Sequence, residues 1–335
     1  MTSGKPVKAL ALLSGGLDSA LAIRLVLIQG VDVTAVNFIL PFVSQKKDYA
    51  GCLAKELGIP LVRIEADEGY IHLIRNPKYG YGSNMNPCID CHIYMLRQAK
   101  KVAQEIGADF IVTGDVLGER PMSQNKNALR LEEKEAGLDG LILRPLSAKL
   151  LPETIPEHEG WIDRQNLLAL KGKGRRFQLE LALKFGITDY NSPAGGCLLT
   201  NKEFATKLKR LFALKEDVTK RDIELLKIGR HFYSASSEII VGRNERENKL
   251  LLELREPEDY IFQVPDFPSP ITLLRGNKDK DSISYAAKLT ARYSDANTTC
   301  VSVEYRNDKD IMGKTPVDLQ LPPQPETDPG LELMR

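Results

Sequence analysis

The run KALALLSGGLDSALAIRLVLIQG, from Lys8 to Gly30, constrains the fold more than any other stretch of the chain. It begins as an unbroken apolar segment of strand length, turns at two glycines and continues for a helical length to a closing glycine. A strand that is apolar on both faces belongs inside a parallel sheet, and a helix directly after it is the crossover such a sheet needs. The alternation repeats. VDVTAVNFIL reads as a strand, SQKKDYAGCLAKELG as a helix, IPLVRIEAD as a strand, the segment from Cys88 to about Ile106 as a long helix, and ADFIVTGD as the next strand. The expected fold class is α/β, a doubly wound parallel sheet over residues 1–150.

The remainder divides differently. Over residues 151–218 prolines, short helical stretches and the basic cluster KGKGRRF predict a substrate-facing extension. Residues 219–308 alternate strand and helix patterns in the manner of a smaller C-terminal α+β domain, and the proline-rich residues 309–335 read as a disordered tail. The N-terminus has neither the apolar core and cleavage site of a secretory signal nor the length of a membrane span, so the expected compartment is the cytoplasm. With 46 basic and 45 acidic residues, a nucleic-acid partner has to be held by a local patch and not by a global field.

The glycine turn places Ser14, Gly15, Gly16, Asp18 and Ser19 between a buried strand and a helix N-terminus, where backbone amides and the helix dipole favour an anion. It lacks the Gly-Lys-Ser/Thr ending of an ordinary P-loop and the GxGxxG spacing of a dinucleotide fold. The motif SGGLDS at the first strand resembles the PP-loop of the ATP pyrophosphatases, the adenine nucleotide alpha hydrolase-like fold, in which ATP is split to AMP and pyrophosphate. The resemblance implies that these residues, with Gly114, bind ATP and that Asp18 holds Mg²⁺. The chemistry it implies is adenylation of a carbonyl oxygen followed by displacement of AMP by a nucleophile. Asp115 and Glu119 follow a strand end where ligands sit in open α/β sheets, and Arg120 is a candidate phosphate contact.

The chain has five cysteines, and Cys88 and Cys91 stand together at the mouth of the long helix. Cys197 lies far downstream in SPAGGCLLT, while Cys52 and Cys300 read as inert, buried apolar positions. A zinc site on the pair would need further ligands, of which His92 is the nearest. MNPCIDCHIYMLRQAKKVAQEIGADFIVTGD resembles the corresponding segment of the tRNA thiouridylases, with Cys91 where those enzymes keep a reactive cysteine. Asp115 departs from that pattern, since histidine is usual there in the 2-thiouridylases, and no N-terminal RNA-binding module of the 4-thiouridine type is recognisable. A pair plus a distant third is similar to the PP-loop sulfurtransferases that carry a [4Fe-4S] cluster on three cysteines. The resemblance leaves two routes open: Cys88, Cys91 and Cys197 as metal ligands of a cluster, or a cysteine persulfide resolved by a second cysteine. Asp115 joins the cysteines as a candidate catalytic residue.

Lys171, Lys173, Arg175 and Arg176 in KGKGRRF are candidate RNA contacts. The C-terminal stretch from ITLLRG to SVEYR resembles the small RNA-associated domain of NFACT-type proteins. Together these resemblances imply an ATP-dependent tRNA sulfurtransferase whose partners are tRNA and a sulfur donor, a cysteine desulfurase or inorganic sulfide. A PP-loop enzyme thiolating or amidating a small molecule, or a non-catalytic RNA-binding or sulfur-carrier protein, is the alternative.

Overall fold

The computed structural model describes residues 6–43, 47–191, 196–234, 237–307 and 311–318. It divides into two compact units, 1–205 and 206–335. The first is built on a five-stranded parallel sheet in the order β3-β2-β1-β4-β5, with β1 at Lys8–Leu12, β2 at Asp32–Ile39, β3 at Leu61–Glu65, β4 at Phe110–Val112 and β5 at Ile142–Leu143. Both faces of the sheet are covered. Ala9 and Ala11 of β1 pack with Leu17 and Leu21 of α1 (Leu17–Leu27), and with α2 (Tyr49–Leu57) through Leu53. Leu10 and Ile111 face the other way, onto Leu96, Ala99 and Val102 of α4 (Cys88–Ile106) and Ala136 of α5 (Lys126–Ala136). An apolar strand without alternation is therefore what the architecture requires, since each buried aliphatic side chain contributes roughly 1.5–3 kcal/mol on either face. A helix over Glu68–Arg75, α3, precedes α4 and has no counterpart in the sequence reading.

The loosely patterned stretch after residue 150 closes this core. After a short helix α6 (Ile155–His158), Leu167, Ala182 and Ile187 are buried with β1 and α1, the middle one on α7 (Arg176–Phe185). The first part of the stretch expected to form an extension is thus an integral layer of the α/β unit. Its apolar residues are spaced for a single buried helix face between irregular segments, which gives little periodicity to read. Helix α8 (Lys202–Leu214) follows.

The second unit is a six-stranded antiparallel sheet in the order β11-β10-β8-β9-β7-β6, formed by β6 (Arg230–Ser234), β7 (Ser237–Val241), β8 (Tyr260–Gln263), β9 (Thr272–Gly276), β10 (Cys300–Arg306) and β11 (Ile311–Asp318). Ile239 and Leu274 face Ala286 and Ala287 of α11 (Lys280–Arg292). Their neighbours Ile240 and Leu273 pack instead with Leu225 of α9 (Lys220–Leu226) and Leu251 of α10 (Glu245–Leu254).

Two expectations are corrected here. Residues 311–318, assigned to a disordered tail, pair antiparallel with β10 from Cys300↔Asp318 to Arg306↔Ile311, and Val317 is buried with Val301 and Val303. Pro316 and Gly313 hide this strand from pattern reading, yet β11 is the sheet edge, where a proline is tolerated. The ring of Tyr305, directly opposite Gly313, lies where a glycine side chain would be. Cys300 is exposed, because alternation along β10 turns Val301 and Val303 inward and leaves Cys300 and Ser302 outside. Residues 319–335, the rest of the expected tail, lie outside the described residues.

Candidate active site

The strand order reverses between β1 and its two neighbours, so the connections leaving β1 and β4 diverge and open a crevice at the carboxyl edge of the sheet. The SGGLDS turn lies there. Gly15 has φ +85°, and a side chain on it would meet Tyr49 Cβ at 2.9 Å, so both conformation and space demand glycine. Ser19 Oγ donates to the Gly16 carbonyl at 2.8 Å, and Gly16 N–H points to Ser14 Oγ at 3.3 Å. Gly16 is the N-cap of α1 and no side chain caps it, which leaves the positive end of the helix facing the crevice. Gly114, just beyond β4, packs directly on this turn: a Cβ there would lie 2.5 Å from Ser19 N. Its role is to allow two backbones to meet.

Asp18, in the first turn of α1, is held by Arg175 with Nη2 3.0 Å from Oδ2. Burial pushes its carboxyl above the ordinary value, against the opposing pull of Arg175, Gln178 and Arg120. Glu119 is raised in the same way by burial and by the Asp18 charge. Of the four basic residues expected to face RNA, Lys171, Lys173 and Arg176 are exposed, whereas Arg175 turns inward onto Asp18. The segment is pinned to the crevice at both ends: Gly172 N–H donates to Leu117 O at 2.8 Å, and Asn191 N–H to Gly15 O at 2.8 Å.

A crossover helix runs antiparallel to its strands, so the N-terminus of α4 also lies at the carboxyl edge. Cys88 is its first residue and Cys91 lies one turn on. Cys197 arrives from far downstream: it bridges Val43, just past β2, and Leu198 N–H donates to Phe42 O at 2.8 Å. The same segment ties to the approach of α4, where Met85 N–H donates to Leu199 O at 3.1 Å and Asn84 Nδ2 to Thr200 O at 2.7 Å. The Cys197 segment is thereby brought to the approach of α4, and the three thiols lie near enough to influence one another's charge. Burial raises all three thiols; Cys91 is pushed up to about 12, with the Tyr70 hydroxyl at 3.1 Å opposing and the charges of Cys197 and Cys88 adding to the rise. Residues 192–195, part of the expected glycine-flanked turn, lie outside the described residues. Among the described residues, no three His, Cys, Asp or Glu side chains converge on a single ion.

Asp115 is committed elsewhere. It accepts from Thr113 Oγ1 at 2.7 Å and Gln124 Nε2 at 3.2 Å, and pairs with the buried Arg144 at 3.4 Å. Burial works to raise it, but Arg144, His92 and these hydrogen bonds outweigh burial and hold it below the usual carboxylate range. Beside it, His92 Nδ1 lies 3.3 Å from Glu132 Oε2; burial would lower the imidazole, and Glu132 holds it above its ordinary value instead. Sequence reading missed Tyr70, Glu132, Arg144 and the inward turn of Arg175. Each acts through a partner distant in the chain, so no local spacing announces it.

Comparison with known families finds one match within each unit. Residues 3–150 match the family of the thiamine biosynthesis protein (ThiI), and residues 229–319 match the NFACT protein RNA binding domain. The N-terminal unit is thus a ThiI-like PP-loop domain, followed by a domain of NFACT RNA-binding type. A "Probable tRNA sulfurtransferase" of Ureaplasma urealyticum serovar 10 is 34% identical over 143 residues, covering 42% of this chain and 36% of the relative. A tRNA-specific 2-thiouridylase of Syntrophotalea carbinolica is 30% identical over 117 residues, covering 31% of this chain and 33% of the relative. The chain thus matches about a third of the length of these curated relatives. A crystal structure of a 4-thiouridine synthetase–RNA complex with bound ATP aligns with 66% of this chain and 52% of its own, at 22% identity and a TM-score of 0.37.

Proposed function

We propose that this protein is an ATP-dependent tRNA sulfurtransferase. In this reading the SGGLDS turn and the uncapped end of α1 hold the pyrophosphate part of ATP, and a nucleobase carbonyl oxygen attacks the α-phosphorus so that pyrophosphate leaves. A sulfur nucleophile then adds to the carbonyl carbon, and AMP departs with the oxygen. Asp18 would hold Mg²⁺, which neutralises phosphate charge. Lys171, Lys173 and Arg176, with the C-terminal domain, would take the RNA backbone.

The observation that carries the reading is the meeting of Cys88, Cys91 and Cys197 at the same sheet edge as the phosphate turn. Three half-buried thiols whose pKa values are raised are weak nucleophiles at neutral pH, and each is better suited to lose its proton to a metal. In this reading Cys88, Cys91 and Cys197 would be the ligands of a [4Fe-4S] cluster, with a cysteine persulfide as the second route. Such a cluster would supply an iron without a protein thiolate, at which inorganic sulfide could be held. The chain's own contribution is to half-bury the three thiols and orient Cys91 through Tyr70.

The test is incubation of anaerobically reconstituted protein with ATP, Mg²⁺, sulfide and bulk tRNA, followed by nuclease digestion and mass spectrometry. The expected outcome is one thionucleoside formed in step with AMP and pyrophosphate. Pyrophosphate release that is stimulated by a small acceptor and indifferent to tRNA would transfer the assignment to a small-molecule ligase.

A further inference from the structure

Arg175 belongs to a segment whose charge reads as an RNA surface, yet it is the one member that does not face outward. Its side chain is 19% exposed, against 94% for Arg176, which pairs with Glu180 at 3.0 Å along its own helix. The contact with Asp18 is single-pronged. Asp18 Oδ1 and Arg175 Nε are buried and neither meets a partner in hydrogen-bond geometry, although the Gln178 side chain stands near enough to pull on the Asp18 carboxyl. A guanidinium and a carboxylate that meet in a stable structural pair commonly engage through both prongs, and a buried donor or acceptor left unfilled is costly unless something else completes it.

The surroundings make a phosphate the natural complement. Arg175 is the N-cap residue of α7, and α7 is fixed against α1 by its buried Ala182. The strand of chain before it is anchored at Leu117, and the chain beyond α7 returns to Gly15. The guanidinium is therefore held beside the first turn of α1, whose amides have no capping side chain. A bare carboxylate at that position would repel an incoming polyphosphate, and Arg175 cancels that charge in the free protein.

Resting on the nucleotide reading above, we propose that Arg175 is a polyphosphate-recognition residue that pairs with Asp18 in the nucleotide-free protein and turns its free prong to the leaving pyrophosphate when nucleotide binds. The planar fork of arginine suits two phosphate oxygens in a way that a lysine ammonium does not. The residue then distinguishes ATP from AMP and does not contribute to RNA affinity.

The experiment is calorimetric titration of the full chain with pyrophosphate, ATP and AMP, each in Mg²⁺. Arg175→Ala is expected to weaken pyrophosphate and ATP binding at least tenfold and to leave AMP and tRNA binding within twofold of wild type. Arg175→Lys, which keeps the charge opposite Asp18, should fold normally and weaken pyrophosphate binding several-fold. Lys184→Ala, on the exposed side of α7, serves as the control and should change neither. Equal pyrophosphate affinity in wild type and both Arg175 variants overturns the assignment, as does a proportional loss of ATP and AMP affinity. Wild-type protein that binds neither ATP nor pyrophosphate overturns this assignment together with the reading beneath it, whereas tight wild-type binding with indifferent variants overturns this assignment alone.

Discussion

The phosphate turn and the cysteine site lie at the same edge of one sheet, but they are built in opposite ways. Ser14 to Ser19 are contiguous, and the backbone that joins β1 to α1 is itself the proposed binding element. The cysteine site is assembled from α4 and from a segment more than a hundred residues downstream, held by the bridge from Cys197 to Val43 and the bonds of 84–85 to 199–200. A contiguous site takes its backbone from one strand and helix, here buttressed by Gly114, Arg175 and Asn191. An assembled site needs the whole unit to close, so its integrity reports on tertiary structure and its failure can leave the first site intact.

The largest test of that difference is the pair Asp18→Ala and Cys197→Ala. Removing Asp18 is expected to lower pyrophosphate release by about a hundredfold or more, the scale of losing one preorganised charge contact at a reacting phosphate. Iron content after anaerobic reconstitution should be unaffected. Cys197→Ala is expected to reverse the pattern: nucleotide binding persists, while iron and labile sulfide fall from about four per chain, the content of a thiolate-held [4Fe-4S] centre. Cys300→Ala, at an exposed position of β10 in the other unit, should alter neither quantity. Loss of ATP affinity in Cys197→Ala would mean that the two sites are not separable.

How much of this was legible in the chain follows from the same contrast. The parallel sheet, the turn and the α4 cysteines are announced by runs of neighbouring residues, and the sequence reading located them. Arg175 reads in sequence as one of four RNA contacts, because a charge run says nothing about which side chain turns inward. Asp115 was read as catalytic from its place after a strand, and only the fold brings Arg144 beneath it. β11 was concealed by Pro316 and Gly313, residues whose tolerance depends on being at an edge and opposite Tyr305. In each case the missing information is the identity of a partner remote in sequence.

A smaller effect sharpens the comparison from the side of the turn. Gly15→Ala combines a φ of +85° with a Cβ contact of 2.9 Å to Tyr49, and should cost about 1–3 kcal/mol of stability. Gly114→Ala has no unfavourable φ, but its Cβ would press on the Ser19 amide at 2.5 Å, so it should displace the turn and weaken nucleotide binding. The two are distinguished by measuring chemical denaturation and ATP titration on each variant. Equal effects of both on stability and affinity would mean that the turn tolerates displacement and is not the preorganised element described here.

The smallest expected effect lies in the pH dependence of the metal-free protein. The Cys91 thiol rises from 9.0 to about 12 on folding, chiefly because burial disfavours the thiolate. A group whose folded pKa is raised contributes stability that is complete below its unfolded value and is lost as pH climbs toward the folded one. Between pH 9 and about 12 the unfolded chain releases this proton while the folded chain retains it, so stability should fall with pH by at most about 1.4 kcal/mol per unit from this group. Urea denaturation at pH 8, 9 and 10 checks it: the wild-type midpoint should drop across the last interval, and Cys91→Ala should drop less. The Asp18→Ala variant, altered only at the turn, should keep the wild-type slope. A Cys91→Ala slope equal to that of wild type would show that the thiol is not enclosed, and with it the claim that the assembled site depends on closure of the unit would fall.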